Sequence, residues 1–218
     1  MKTVLITGIS RGIGKAVAQK FLNEGYFVIG TSMTGEVDFA HENLKVVQLD
    51  LTKSDSISAC VSSVGNIDIL INNAGVLLDG EETIVITDLL RKTLEVNLIG
   101  TIDFTEKLVS KINNGGHIVN ISSSAGSLAE IETESHAKGY YPAYKISKAS
   151  LNMYARTIAM RLKDIKVSSV NPGWVKTEMG GEDAPITPVE AAEHIFKIAT
   201  DANIETGQFW FKGEKYKW

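Results

Sequence analysis

The chain has 218 residues, 44% of them hydrophobic and 22% charged, which is the balance of an ordinary globular protein. This composition excludes a disordered chain, a coiled coil and a collagen-like repeat, and the net charge of −4 argues against general binding to nucleic acid or to anionic membranes. No stretch approaches the ~18 apolar residues of a membrane helix, and the apolar run after Lys2 ends at Gly8, too early for a signal peptide. We therefore expect a cytoplasmic protein.

Apolar runs of strand length alternate with helical patterns along the chain. In chain order we predict strand 2–7, helix 12–24, strands 26–32 and 44–50, helix 54–64, strand 67–72, a helical stretch 87–112 broken near Gly100, strand 116–122, helix 143–163, strand 166–171, helix 188–199 and strand 208–212. Continuous apolar strands separated by helices indicate a parallel sheet covered on both faces. The sequence therefore predicts one doubly wound α/β domain over residues 1–218, with seven parallel strands.

Cysteine and histidine give no sign of a metal centre. Cys60 is the single cysteine, so no intrachain disulfide can form. The four histidines, His41, His117, His136 and His194, show no ligand spacing. We expect no metal.

A glycine-rich segment, TGISRGIG at residues 7–14, joins the first strand to the first helix. Glycines there let the backbone turn tightly and approach a pyrophosphate, while the helix N-terminus offers free N–H groups and a positive dipole. The spacing G-x-x-x-G-x-G differs from the commoner G-x-G-x-x-G. The segment predicts a dinucleotide phosphate site, the alternative being a plain strand-to-helix turn.

The end of the second predicted strand carries no acidic residue. A site that prefers NAD usually places Asp or Glu there to bind the ribose 2′-OH, and here the first acid is Glu36. Thr31 and Ser32 occupy this region, and Arg11 stands in the phosphate loop, which suits a 2′-phosphate. We predict a preference for NADP(H), with NAD(H) possible. The alternative for Arg11 is a solvated surface side chain.

Two tyrosines begin a Y-x-x-x-K pattern, Tyr141 with Lys145 and Tyr144 with Lys148. Helical phase separates them, because Tyr144 and Lys148 fall on the same line as the apolar residues Leu151, Ala155, Ile158 and Leu162. That line should face the sheet. The other pair shares a polar flank with Asn152, Arg156 and Lys163, and we expect it to be solvated.

An inward lysine beside a tyrosine has a chemical rationale. A free phenol titrates near ~10, and a neighbouring ammonium group favours the phenolate. Lys148 is therefore expected to lower the pKa of Tyr144 and to make it an acid or base near neutral pH. The alternative is a core tyrosine next to a lysine whose ammonium group reaches solvent.

These motifs, in their order, resemble the short-chain dehydrogenase/reductase family nearly end to end. The resemblance is carried by TGISRGIG at 7–14, NNAG at 72–75, Asn97, NISSSAG at 120–126, YKISK at 144–148 and NPGWVKT at 171–177. Residues 171–192 and the C-terminal GQFWF stretch are similar to carbonyl reductases of the C-factor-like subgroup. The resemblance implies a Rossmann-type fold and NAD(P)-dependent oxidoreductase activity.

The resemblance also implies a role for each matching residue. Tyr144 exchanges a proton with the substrate oxygen, Lys148 assists it and binds the nicotinamide ribose, and Ser123 hydrogen-bonds the substrate carbonyl, with Ser122 and Ser124 as alternatives. Asn97 holds a water molecule of a proton relay, or is simply an asparagine at a helix kink. Asp50 and Leu51 face the adenine, residues 73–75 face the adenosine ribose, and Pro172, Gly173, Val175 and Thr177 hold the nicotinamide. The expected cofactor-binding residues are Gly8, Ser10, Arg11, Gly12, Ile13, Gly14, Thr31, Ser32, Asp50, Leu51, Asn73, Ala74, Gly75, Tyr144, Lys148, Pro172, Gly173, Val175 and Thr177.

Three features depart from the family pattern. Ser123 and Tyr144 are 21 residues apart, longer than in many members, and residues 128–139 form an acidic addition expected beside the substrate mouth. Met33 stands where NADP-preferring relatives often carry an arginine. The segment from Glu178 to Pro188 is short and predicts only a small lid.

The helix at 143–163 carries a second apolar stripe, made of Ile146, Ala149, Met153, Thr157 and Met160, roughly opposite the Tyr144 line. A helix that covers a sheet needs only one apolar face. In relatives, this helix packs against its copy in a second subunit. We therefore expect a homodimer or homotetramer; the alternative is a monomer in which residues 128–139 cover the stripe.

The function expected from these residues is NADPH-dependent reduction of a small-molecule carbonyl compound, or oxidation of the corresponding alcohol. Two alternatives stay open: a dinucleotide-binding signalling or regulatory protein on the same fold, and an NAD-linked alcohol dehydrogenase. The complete Ser123, Tyr144 and Lys148 set favours an enzyme, because a sensor needs no tuned phenol.

Overall fold

The computed structural model describes residues 1–130 and 140–218. Its strands are β1 (Thr3–Ile6), β2 (Phe27–Ser32), β3 (Leu44–Gln48), β4 (Ile67–Asn72), β5 (Ile112–Ile121), β6 (Lys166–Asn171), β7 (Gln208–Phe211) and β8 (Glu214–Lys215). They form one sheet in the order β3-β2-β1-β4-β5-β6-β7-β8. The first seven strands run parallel and β8 pairs antiparallel with β7. The predicted α/β class and its seven parallel strands are confirmed.

Six α-helices lie in the described residues: α1 (Gly12–Asn23), α2 (Ser54–Ser63), α3 (Thr87–Leu94), α4 (Thr101–Leu108), α5 (Pro142–Arg161) and α6 (Pro188–Thr200). The predicted break near Gly100 is wrong, because a π-helical turn at Glu95–Gly100 carries the helix from α3 into α4. A Cβ on Gly100 would lie 2.0 Å from the carbonyl oxygen of Leu51. The glycine therefore lets the helix approach the neighbouring backbone and does not interrupt it.

The two faces of the sheet are covered by separate apolar clusters. One cluster packs α1 and α6 against the sheet around Phe21 and Ile195. The other packs α2, α4 and α5 around Phe104 and Ile158. Each such side chain contributes roughly 1.5–3 kcal/mol when fully buried. Helices on both faces are the doubly wound arrangement that the apolar strands predicted.

Two strand details differ from the sequence prediction. β8 was not expected, because its two residues are exposed and carry no apolar pattern. β5 begins at Ile112, four residues before the predicted start. The strand passes through Gly115 and Gly116 with a register shift against β4.

The order of the strands determines where a ligand can bind. The order reverses between β1 and β4, and ligands of open α/β sheets bind at such a switch point, outside the carboxyl ends of the strands. The loops after β1, β4, β5 and β6 meet at that edge. Among residues 1–130 and 140–218, no helix has both the length and the apolarity needed to cross a bilayer.

Candidate functional site

The loop after β1 has the shape of a phosphate cradle. Gly8 and Gly12 both adopt the left-handed region, at φ +73° and +58°. A Cβ on Gly14 would lie 2.1 Å from the carbonyl oxygen of Gly8. Arg11 precedes α1 in extended conformation, and within the described residues its side chain makes no capping hydrogen bond. The N-terminal N–H groups of α1 therefore remain without a side-chain cap, so the loop fits a phosphate.

The residues after β4 brace this loop. The Thr7 hydroxyl accepts hydrogen bonds from the backbone N–H groups of Asn73 and Ala74, both at 2.9 Å. The Asn73 amide donates to the carbonyl oxygens of Thr7 and Gly8 at 2.9 and 3.1 Å. Asn73 and Ala74 thus fix the cradle, and their contact with a ribose stays a prediction.

The predicted 2′-phosphate residues fall into two groups. Thr31 and Ser32 are buried, with Thr31 Oγ1 accepting from Gly8 N at 3.3 Å and Ser32 Oγ donating to Glu36 O at 2.9 Å. Arg11 is exposed, and its Nη1 lies 2.5 Å from the Glu178 carboxylate. Such an exposed pair is weak and readily exchanged for another anion. Arg11 is therefore the group that is free to move toward a phosphate.

Asp50 and Leu51 follow β3, next to β2 in the sheet. Asp50 Oδ1 accepts from the Thr52 hydroxyl and from Thr52 N, at 2.7 and 2.9 Å. These bonds lower the pKa of the Asp50 carboxyl and keep it ionised. Leu51 is buried under the π-helical turn. Their contact with an adenine stays a prediction.

Lys148 and Tyr144 project inward from α5, as the helical phase predicted. Lys148 is 4% exposed, its Nζ donates to Ile121 O at 2.8 Å, and it lies 5.5 Å from the centroid of the Tyr144 ring. Leu151, Ala155 and Ile158 continue the buried line. The structure therefore places the second tyrosine–lysine pair, and not the first, at the carboxyl end of β5.

The expectation that Lys148 lowers the pKa of Tyr144 is wrong. Burial raises the pKa of Tyr144 to about 12, partly offset by a hydrogen bond with the Ser123 side chain. Burial also lowers the pKa of Lys148 to about 8. Desolvation of the phenolate therefore outweighs the hydrogen bond with Ser123, and Tyr144 is a protonated phenol at neutral pH.

Ser123 is distinguished from Ser122, the serine before it. Its Oγ caps the short 3₁₀ turn Ser124–Gly126 by accepting from Ala125 N at 3.1 Å, and it also hydrogen-bonds Tyr144. Ser122 is buried, and its hydroxyl has no partner in the described part of the chain. The geometry thus favours Ser123 as the serine nearest the chemistry.

Asn97 lies in the π-helical turn and connects the loop after β4 to α5. Its side chain accepts from Val76 N and donates to Val76 O, both at 2.8 Å, and donates to Ser147 Oγ at 3.0 Å. Ser147 in turn donates to Tyr144 O at 2.7 Å. A Cβ on Gly75 would meet Asn97 Oδ1 at 3.3 Å and Lys148 Nζ at 3.6 Å. The side chain of Asn97 is committed to these partners, and its predicted water relay remains untested.

Sequence reasoning missed Asp79 and Ser147, which both support α5. Asp79 is 2% exposed, and its Oδ2 accepts from Ala143 N at 2.6 Å at the start of α5. Tyr141, the residue before the helix, is held in the left-handed region at φ 27°. An acid directly after the short apolar run at residues 76–78 was the available signal for Asp79. Ser147 offered none, because a serine inside a helix is unremarkable.

The expectation that Tyr141 and Lys145 form a solvated pair is wrong. Tyr141 and Lys145 are half-buried, with Lys145 Nζ 4.9 Å from the centroid of the Tyr141 ring; burial raises the pKa of Tyr141 and lowers that of Lys145. Asn152 is buried and donates to Gly126 O at 3.2 Å. The reason is Gly126, where a Cβ would lie 2.6 Å from the backbone of Lys148, so the turn after β5 covers this flank.

The loop after β6 closes over the phosphate cradle. Gly173 adopts φ +83°, and its N–H donates to Asn171 Oδ1 at 2.9 Å, which turns the chain after Pro172. Val175 forms a parallel bridge with Ile186. A Cβ on Gly12 would lie 3.3 Å from the Thr177 methyl group. The predicted small lid is therefore a compact loop in contact with α1.

The structure describes only the beginning of the acidic addition, and three of the four histidines. Of residues 128–139, the stretch 131–139 lies outside the described residues, as does His136. Ala129 N donates to Trp218 O at 2.9 Å, and Ser127 Oγ donates to Lys217 O at 2.8 Å, so the C-terminal tail holds the beginning of the segment. No cluster of potential metal ligands occurs in residues 1–130 and 140–218.

Comparison with known proteins yields one family and many structures of the same fold. The sequence profile described as "short chain dehydrogenase" matches residues 2–185. The chain is 26% identical to (+)-neomenthol dehydrogenase of Capsicum annuum, over 96% of this chain and 95% of that protein. A short-chain dehydrogenase/reductase from Burkholderia multivorans with bound NADP superposes with a TM-score of 0.89, at 29% identity, over 100% of this chain and 99% of that one. NADPH-bound carbonyl reductase from chicken fatty liver superposes with a TM-score of 0.90, at 26% identity, over 100% of this chain and 94% of that one.

Proposed function

Because this chain belongs to the short-chain dehydrogenase family, and is therefore an NAD(P)-dependent oxidoreductase, we propose that it reduces a small-molecule ketone or aldehyde with NADPH. The reverse oxidation of the alcohol uses the same residues. The observation that carries the proposal is the arrangement of Ser123, Tyr144 and Lys148 at the carboxyl end of β5. We also propose that residues 1–218 act as one NAD(P)-binding catalytic domain.

The cofactor assignment rests on the shape and charge of the cradle. When bound, the dinucleotide supplies or accepts the hydride. The uncapped start of α1 suits its pyrophosphate, and Arg11 suits a 2′-phosphate. The Burkholderia and chicken proteins were crystallised with NADP and NADPH. No acid follows Ile29 on β2 to select NAD.

The protein's own part in the reaction is to bind the carbonyl oxygen and to protonate it. Ser123 donates a hydrogen bond to that oxygen, and Tyr144, protonated at neutral pH, supplies the proton as general acid. Lys148, held by Ile121 O, places an ammonium group beside the tyrosinate that forms and stabilises it. In the direction of reduction, the protonated Tyr144 holds the proton that the alcohol product needs.

The proposed assembly rests on the outer face of α5. Ile146, Met153 and Met160 are 40%, 68% and 75% exposed there. An exposed apolar stripe of this kind is typical of a surface that is covered in an assembly. We propose a homodimer or homotetramer in which two copies of α5 face each other, with no nucleic-acid or membrane partner.

The proposed function is tested by NADPH consumption with a panel of ketones, aldehydes, quinones and diketones. Turnover of at least one compound, lost in the Tyr144→Phe variant, supports the proposal. Binding of NADPH without turnover of any compound would contradict it. That result would favour the alternative, a dinucleotide-binding signalling protein.

A further inference from the structure

The loops that surround Tyr144 expose large apolar side chains. Leu78 follows β4, Leu128 follows β5, Trp174 and Met179 follow β6, and Tyr140 precedes α5. Their exposed fractions lie between 44% and 78%. Residues 84–86, an Ile-Val-Ile run, extend the same pattern along the loop after β4. An exposed apolar side chain is ordinary when it stands alone, but a group of them on loops at one edge marks a binding surface.

The sheet brings these loops together. β4, β5 and β6 are adjacent parallel strands, so their carboxyl ends lie side by side at the edge that carries Ser123. Tyr140 belongs to the segment that leads into Tyr144. The Trp174 indole N–H donates to Gly180 O at 2.6 Å, so one polar group of this surface is already satisfied and its ring is held in place. The apolar surface is therefore built into the mouth of the catalytic site.

The same loops carry almost no positive charge. In residues 76–86, 122–130 and 172–187, all of them described, the sequence has seven carboxylates and one lysine. That lysine, Lys176, lies 3.0 Å from the Glu182 carboxylate. Arg11, at the cofactor end, pairs with Glu178. Lys148 is buried against Ile121 O. Lys145, on α5, is half-buried against the Tyr141 ring.

Lys217, on the C-terminal tail, lies 3.4 Å from Glu130. Among the described residues these loops therefore hold more carboxylates than cations, and Arg11 is assigned to the cofactor. A carboxylate or phosphate on the substrate would meet an excess of like charge, which disfavours binding.

We propose, on the basis of the function proposed above, that the substrate is a neutral and predominantly apolar ketone or aldehyde, whose body lies against Leu78, Trp174 and Met179. The substrate carbonyl carbon gains a hydride from NADPH as its new C–H bond while the C=O π bond opens. The oxygen takes the proton of Tyr144 to form the O–H bond, so the carbonyl compound is reduced to an alcohol and NADPH is oxidised to NADP⁺.

The test compares two ketones that differ in one substituent, the neutral ester methyl 4-acetylbenzoate and the anionic carboxylate 4-acetylbenzoate. We expect kcat/KM to be at least about tenfold higher for the methyl ester, mainly through KM. Trp174→Ala should raise KM for the ester about tenfold and leave KM for NADPH unchanged. The matched control is Val189→Ala, a similarly exposed residue on α6, which packs on the opposite face of the sheet from α5. If Trp174→Ala does not fold, Met179→Ala replaces it.

Equal kcat/KM for ester and carboxylate would overturn the inference and leave the proposed function standing. An unchanged KM for the ester in both Trp174→Ala and Met179→Ala would also overturn it. If the protein reduces neither ketone, that result contradicts the proposed function for this class of ketone. The inference is then decided by the affinities of the ester and the carboxylate, measured by calorimetry in the presence of NADP⁺. Tighter binding of the ester by about tenfold supports it, and equal binding refutes it.

Discussion

The carboxylate of Asp79 accepts a hydrogen bond from the backbone N–H of Ala143 at 2.6 Å, and this bond ties the loop after β4 to the first turn of the helix that carries Tyr144. The other carboxylate oxygen is buried without a partner among residues 1–130 and 140–218. A buried acid at the start of this helix is therefore expected to act on the position of the phenol.

Asp79→Ala should lower both stability and turnover. Loss of a helix cap costs about 0.5–2 kcal/mol, and a shifted Tyr144 lowers kcat with little change in the affinity for NADPH. Thermal unfolding and steady-state kinetics measure the two effects. Asp88→Ala, which removes an exposed acid from the first turn of α3, is the matched control and should change neither. A variant with normal kcat would show that Asp79 does not position the helix.

Arg11→Ala should reduce the preference for NADPH. The parent protein is expected to bind NADPH at least ~10-fold tighter than NADH, equivalent to ~1.4 kcal/mol, because Arg11 meets a 2′-phosphate and no acid meets a 2′-OH. The variant should bind NADPH more weakly, while its affinity for NADH should stay nearly unchanged, as measured by fluorescence titration. Arg91→Ala, an equally exposed arginine on α3, serves as control. Equal dissociation constants for the two cofactors in the parent would contradict the assignment.

Met153→Glu should dissociate the proposed oligomer. Met153 is 68% exposed in the single chain, and a charge in its place would be buried without a partner between two copies of α5. Light scattering at micromolar concentration should give a multiple of 23.7 kDa for the parent and a single-chain mass for the variant. Val189→Glu, at a similarly exposed position on α6, should leave the oligomer intact. A parent of single-chain mass would refute the assembly.

Acid should destabilise the protein partly through His117. This side chain is buried on β5, with its ring nitrogens 3.1 Å from Ala199 O and 2.9 Å from Ser168 Oγ, and burial lowers its pKa to about 4. The unfolded chain has a histidine pKa near ~6.5, so it binds more protons between pH 6.5 and 4 and stability falls as the pH falls through that window. The full effect is roughly 3 kcal/mol. Denaturant unfolding measures the free energy of unfolding at each pH. In His117→Gln this free energy should fall less steeply between about pH 6.5 and 4, and an unchanged slope would exclude His117 as a source of the acid destabilisation.

The sequence predicted the sheet and the inward line of α5 because both depend on apolar periodicity. Val4, Leu5 and Ile6 in β1, and Leu151, Ala155 and Ile158 in α5, are buried where the pattern required. Periodicity could not reveal β8, whose pairing depends on the turn at Gly213 (φ +86°) and not on apolar residues.

The site could be predicted in its residue types but not in its energetics. The inward positions of Tyr144 and Lys148 follow from helical phase, whereas the raised pKa of Tyr144 depends on how completely the turn after β5 and the helix exclude water. Asp79 and Asn152 depend on tertiary contacts with Ala143 and Gly126, which lie far from them in sequence. Such contacts leave no local pattern.

The most direct test of the account compares Tyr144→Phe with Tyr141→Phe, using a ketone that the parent reduces. Each variant removes one phenolic hydroxyl group from the same chain segment. The centroids of the two tyrosine rings lie 6.2 Å apart. We expect Tyr144→Phe to lower kcat by at least ~10²-fold, because the proton donor is lost, with NADPH affinity within a few-fold of the parent, and Tyr141→Phe to stay near parental turnover. Loss of turnover in Tyr141→Phe together with a normal kcat in Tyr144→Phe would contradict the assignment of Tyr144 as the proton donor.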